Sequence, residues 1–213
     1  MKYITGLVCS LAFAGAANAQ DFPGLRFEGL LGWDHVGAAL DYEDIDFPED
    51  NFKETGSTDG FLVGAAIGYD VPVGPVYLGV EGSIDIPINN RCEEVYGDDA
   101  ACFKTRSNLA IGGRIGVPAS KSALLYVGAA YVSGEAEISY TDDFDPDFDL
   151  SYSDRQGGYR LSGGAEVRLT GNWFAKAEYR YSDYDDYSVS EGTETANLSF
   201  DRHQVVTGLG VRF

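Results

Sequence analysis

No stretch of this 213-residue sequence approaches the roughly 18 consecutive apolar residues that a membrane-spanning helix needs. The one apolar run near that class, 4–16, is too short to span. Basic residues are also scarce, with 15 Lys and Arg against 34 Asp and Glu, for a formal net charge of -19. Nucleic acid is excluded as a partner class, because phosphate binding needs a basic surface. Histidine occurs twice, at His35 and His203, which leaves general-base chemistry few places to reside. Cysteine occurs three times, no metal-ligand spacing accompanies it, and no motif calls for a cofactor.

The apolar run has an export role. Lys2 precedes it and Ala17-Asn18-Ala19 follows it, so residues 1–19 read as a cleaved signal peptide and 20–213 as the mature domain. Cys9 lies inside the run after Gly6-Leu7-Val8, which departs from a lipobox. Loss of Lys2 leaves a charge of -20. Cys92 and Cys102 remain, in a compartment where disulfides persist, and are expected to pair. On chain entropy, closing so short a loop contributes somewhat under about 3 kcal/mol.

What the sequence has in quantity is glycine (27), tyrosine (14) and phenylalanine (12), a composition of strands and tight turns. Period-two alternation predicts eight strands, at 25–36, 60–69, 76–85, 107–117, 123–132, 157–169, 173–182 and 200–213. In the last of them Val205, Thr207, Leu209 and Val211 share one face. Arg202, Gln204, Gly208, Gly210 and Arg212 share the other. The fifth strand is apolar on both faces; Leu125, Val127, Ala129 and Tyr131 are assigned outward.

Connections alternate in length. Polar segments without a period, 38–59, 86–106, 133–156 and 183–197, read as long loops, and 70–75, 118–122 and 170–172 as short turns. That sorting and strands of roughly 9 to 11 residues predict an all-β, eight-stranded antiparallel up-and-down transmembrane barrel, with both termini on one side. A closed sheet also pairs every backbone group in lipid. A basic side chain facing lipid near midplane would cost about 2 to 4 kcal/mol. Glu28, Glu81, Arg114, Arg160, Glu166, Arg168, Lys176, Glu178, Arg180, Arg202 and Arg212 are therefore expected to face the lumen as a network of ion pairs, with glycines making room. Trp33, Tyr69, Tyr131, Tyr159, Trp173, Tyr179, Tyr181 and Phe213 fall near strand ends, as interface girdles do.

The run 171–184, Gly-Asn-Trp-Phe-Ala-Lys-Ala-Glu-Tyr-Arg-Tyr-Ser-Asp-Tyr, with Gly-Gly-Ala-Glu-Val-Arg-Leu before it and Arg-His-Gln-Val-Val-Thr-Gly-Leu-Gly-Val-Arg-Phe after it, resembles the opacity-like family of small outer-membrane barrels. These are relatives of the OmpA membrane domain in proteobacteria, and include porin-family surface antigens. The resemblance covers essentially the mature chain and is most specific in its last third. It implies the bacterial outer membrane as location, and a terminal Phe213 like the signal read by the barrel assembly machinery. It does not imply a peptidoglycan-binding domain.

Three functions compete on this reading. One is a non-enzymatic, monomeric surface or structural protein whose acidic loops contact lipopolysaccharide or cell-surface partners. Divalent cations bridging carboxylates to lipopolysaccharide phosphates are one form of that contact, and a merely solvated acidic surface the plainer one. A small-solute channel is the second. The third is a barrel enzyme of the lipid A-modifying or omptin kind, for which His35 and His203, with Asp34 and Asp201 beside them, supply the only rim histidines.

Overall fold

In the computed structural model the described residues are 22–213 without 45, 48, 50, 89, 97–98, 142–149 and 192–193. For 43, 90–106, 136–141, 150–154, 187, 189–191, 194 and 196 the backbone alone is described. The signal-peptide region 1–19 lies outside them. Ten strands follow in order: β1 (Gly24–Asp44), β2 (Phe52–Val73), β3 (Val76–Pro87), β4 (Asn90–Tyr96), β5 (Asp99–Pro118), β6 (Ala123–Thr141), β7 (Leu150–Arg168), β8 (Trp173–Tyr184), β9 (Tyr187–Glu191) and β10 (Glu194–Arg212). The wall runs β1-β2-β3-β5-β6-β7-β8-β10, and β10 pairs back onto β1 from Arg26 opposite Arg212 to Asp44 opposite Glu194. This is a closed, antiparallel, eight-stranded barrel; β4 and β9 are short additions beside β5 and β10. Closure leaves no edge in the part of the wall where all eight strands pair, so ladder groups there have partners.

Alternation is inverted relative to a soluble protein. Phe27, Leu31, Phe61, Ile67, Val80, Ile111, Val127, Leu161 and Leu209 are exposed on the outer face. Inward neighbours are buried and largely polar. Leu125, Val127 and Tyr131 of β6 are exposed while Leu124, Tyr126 and Val132 are buried, which fixes the register that its apolar sequence left weakly specified. At the turn end Gly74, at φ +63, and Pro75 connect β2 to β3 in two residues, with Val73 opposite Val76. Positive φ at the first turn position is what a type II′ hairpin needs, and glycine takes it without a Cβ clash.

The four segments read from sequence as long loops are largely strand. β1 and β2 stay paired out to Tyr42 opposite Phe52, β6 and β7 to Tyr140 opposite Leu150, and 86–106 and 183–197 hold β4 with the start of β5 and β9 with the start of β10. Outside hydrocarbon no face need be apolar, so the alternation that signals a strand is gone. The backbone groups still require partners, and prolonging the ladder supplies them. The turn read at 70–75 likewise shrinks to two residues.

Above its closed part the wall divides. Pairing between β2 and β3 stops at Leu62 opposite Pro87, and between β7 and β8 at Gly158 opposite Tyr184. Beyond those points β9, β10, β1 and β2 form one four-stranded ribbon, and β4, β5, β6 and β7 another. Replacing Gly74 by alanine is expected to destabilise the refolded barrel by about 1 kcal/mol, since an L residue at positive φ is strained. A urea midpoint in lipid vesicles that does not move contradicts this turn.

Candidate functional site: the lumen network and the outer rim

Among the described residues every wall strand sends a polar side chain into the lumen, and the charges that form ion pairs there balance. Seven carboxylates (Glu28, Asp34, Asp70, Glu81, Asp85, Glu166 and Glu178) meet seven cations (Arg26, Arg114, Arg160, Lys176, Arg180, Arg202 and Arg212) in ion pairs. All but Glu81 are among the buried residues.

Asp70 of β2 is the hub towards the turn end. Arg114 of β5 donates to it from Nε at 2.9 Å and from Nη2 at 2.7 Å, Arg26 of β1 from Nε at 3.0 Å, and Arg212 of β10 from Nη1 at 2.7 Å. Arg212 and Arg114 also donate to Glu166 of β7, at 2.5 Å and 3.1 Å. Arg26 reaches Glu81 of β3 at 2.6 Å and bonds Glu28 as well. Lys176 of β8 sits 2.5 Å from Glu28 and 3.7 Å from Glu178. One carboxylate thus ties β2 to three other strands across the barrel.

Towards the hairpin end a second cluster forms around Asp85 of β3, which accepts from Arg180 and Arg160, each at 3.1 Å. Arg180 also bonds Glu178, Arg160 bonds the Ser182 hydroxyl at 3.0 Å, and the Tyr126 hydroxyl donates to Glu178 at 2.6 Å. Arg202 and Asp34 make a separate buried pair nearer the rim. Leu30, Leu62, Ala66 and Val206 pack together inside the lumen on the β1, β2 and β10 side. Glycine makes the geometry feasible at two close approaches. A Cβ at Gly68 would meet the Arg26 guanidinium, and one at Gly79 would run into the Asp70 carboxylate with Arg114 at 3.1 Å behind it.

Of the eleven lumen residues named from sequence, all but Arg168 enter these clusters. Arg168 is half-buried at the turn-end mouth beside Arg212, Asn172 and Trp173. Parity of alternation puts Arg26 and Asp34 on the face of Glu28, and Asp85 on that of Glu81, as the structure has them, though they were left out of the expected network; Asp70 and Tyr126 were missed. Asp70 had a signal: Leu62, Gly64, Ala66 and Gly68 share the inward face, and Asp70 is the next of that parity, but Pro72 pulled it into the turn. Phe213 is exposed, its amide and carbonyl pair with Leu25 at 2.8 and 3.0 Å, and its ring lies edge-on to Phe27.

His35 and His203 occupy directly opposed positions on β1 and β10 near the rim, with ring centroids 6.4 Å apart on the outer face. Asp34, expected beside them, points into the lumen instead, because adjacent strand residues take opposite faces. His35 Nδ1 pairs with Asp59 at 2.8 Å and its ring stacks on Trp33. His203 Nδ1 shares a 2.6 Å hydrogen bond with the Tyr179 hydroxyl, and its Nε2 lies 3.2 Å from Asp201. Among the described residues no group of three His, Cys, Asp or Glu is placed to hold a metal ion.

A family model described as an outer membrane protein beta-barrel domain matches residues 5–213. A 22 kDa outer membrane protein of Rhizobium leguminosarum bv. viciae is 28% identical over 204 residues, spanning 93% of this chain and 83% of the relative. Among solved structures, the outer membrane protease OmpT of Escherichia coli aligns with a TM-score of 0.53 at 10% identity, covering 89% of this chain and 97% of that one. A major outer membrane protein from Thermus thermophilus aligns at 0.51 and 12%, covering 85% and 99%. At those identities the solved structures share the fold and no more.

Breaking the hub is expected to be costly and removing an entire pair is not. Asp70→Asn leaves three buried guanidiniums short of a countercharge, for a loss of about 3 to 5 kcal/mol; Asp34→Leu with Arg202→Met together should fall near neutral while either alone is destabilising. Urea unfolding in vesicles reads all four variants. A mild Asp70→Asn, or a double variant worse than both singles, contradicts the network as drawn.

Proposed function

The chain belongs to the outer membrane protein beta-barrel domain family, and from that premise we propose that it is a closed, non-enzymatic surface protein whose hairpins contact lipopolysaccharide or cell-surface partners. The observation carrying the proposal is that the lumen is crossed by ion pairs between buried side chains, from Asp70 with Arg26, Arg114 and Arg212 to Asp85 with Arg160 and Arg180. A solute would have to displace paired buried charges to pass. The non-enzymatic reading draws support from the rim: both imidazoles, with their contacts to Asp59, Tyr179 and Asp201, stand on the outer wall rather than over the lumen.

With the lumen neutral, the whole excess of negative charge falls outside it. That favours contacts with cationic groups, directly or through divalent cations shared with lipopolysaccharide phosphates. The aromatic and imidazole groups at the rim, Trp33, His35, Tyr179, Tyr181 and His203, suit the headgroup level of the outer leaflet. A cleaved leader at 1–19 and assembly through Phe213 complete the route to the membrane.

Planar-bilayer recording tests the closed lumen. The protein is expected to give a flat trace at moderate voltage, and stepwise single-channel conductance would overturn the proposal. The cysteine pairing has its own check. Cys92 and Cys102 are opposed across the β4–β5 ladder, where Cα atoms lie about 4.5 to 5.5 Å apart, inside the about 4.4 to 6.8 Å span of a disulfide. Intact mass should rise by about 2 Da on reduction; no change refutes the bond.

A further inference from the structure

At the seam where the wall divides, the outer edge of β2 is left open. Phe61 turns its carbonyl to β3 and accepts from Ile88 at 2.8 Å. By alternation the backbone groups of Lys53, Thr55 and Ser57 point the same way, while β1 takes the groups of the residues between them. Among the described residues the amides and carbonyls of these three find no backbone partner. An edge of this kind is a template for another strand, and proteins usually blunt it with proline, a bulge or lysine. Here 52–60 holds no proline, its register with β1 has no break, and its one lysine is neutralised by Asp41 at 3.0 Å.

We infer that this edge, at Lys53, Thr55 and Ser57 of β2, receives an extended basic polypeptide segment by strand addition. The inference rests on the surface-partner reading and names the partner's chemistry. Backbone pairing supplies the affinity and charge the selectivity. Residues 38–59 carry eight acids and one lysine, so an incoming strand with cationic side chains is drawn in. A second copy of the chain would set this acidic hairpin against itself, and opposed like charges across a ladder are destabilising. An anionic or small-molecule ligand finds no cationic group on this edge that is not already paired.

The test uses the full protein in phosphatidylcholine nanodiscs and a labelled ten-residue peptide of alternating lysine and valine, followed by fluorescence anisotropy. Thr55→Pro and Ser57→Pro each delete one seam-facing amide, at an edge position where proline is tolerated, so the barrel should keep its heat-dependent gel mobility. Each is expected to weaken binding by about tenfold or more. N-methylation of alternate peptide residues should weaken binding to the native protein by a similar factor, which frees the test from any variant that misfolds. Equal binding by the proline variants or by the N-methyl peptide would reduce the effect to charge attraction and overturn strand addition. No binding by the native protein overturns it too, and so does a dimer on sedimentation that Thr55→Pro abolishes. Absent peptide binding with a flat conductance trace removes only this inference, whereas a conducting trace removes the closed surface barrel beneath it.

Discussion

A charge inside an eight-stranded barrel has neither bulk water nor room to turn away, and the rest of this structure answers to that constraint. Facing lipid is worse, so the ionic side chains of the lipid-embedded part of the wall point inward and must find partners there. The solution is balanced in number, seven against seven, and centred on Asp70, which holds Arg26, Arg114 and Arg212 from three other strands. Side-chain pairing across the lumen thus repeats, by other atoms, the closure that β1 and β10 achieve by backbone. The small residues follow from the same demand: a guanidinium lies where Gly68 has no side chain, and a carboxylate where Gly79 has none.

Neutrality inside has a consequence outside. A chain with a formal charge of -19 and a balanced lumen presents its acidity at the hairpins and rim. Those hairpins are folded, since the ladders run well past the girdle of Trp33, Tyr131 and Tyr159 before they end. They are also divided, because a wall freed from the bilayer is no longer obliged to close. Two four-stranded ribbons with open edges are the result.

Much of this was legible in the sequence because hydrocarbon imposes strict alternation: the eight strands, the outward Leu125 and Val127, and the inward Arg180 and Glu178 all follow from parity. What parity does not give is register between strands distant in sequence. That Asp85 meets Arg160 and Arg180, or that Asp70 meets Arg114 and Arg212, depends on shear and tilt around the barrel. Asp70 itself was hidden by Pro72, whose turn tendency outweighed one more step of alternation. Paired hairpins were hidden because polar strands in water carry no apolar period. At the rim, alternation would have separated Asp34 from His35, and sequence adjacency was the misleading cue.

The claim that the lumen is a closed, paired network is most directly tested on its guanidiniums. Nitrogen-resolved exchange of arginine Nε–H protons in nanodiscs should find Arg26, Arg114 and Arg180 at least about tenfold slower than Arg155, whose side chain is 46% exposed beside Glu135. Exchange of all four at one rate would mean that water moves freely through the lumen, and would contradict the account.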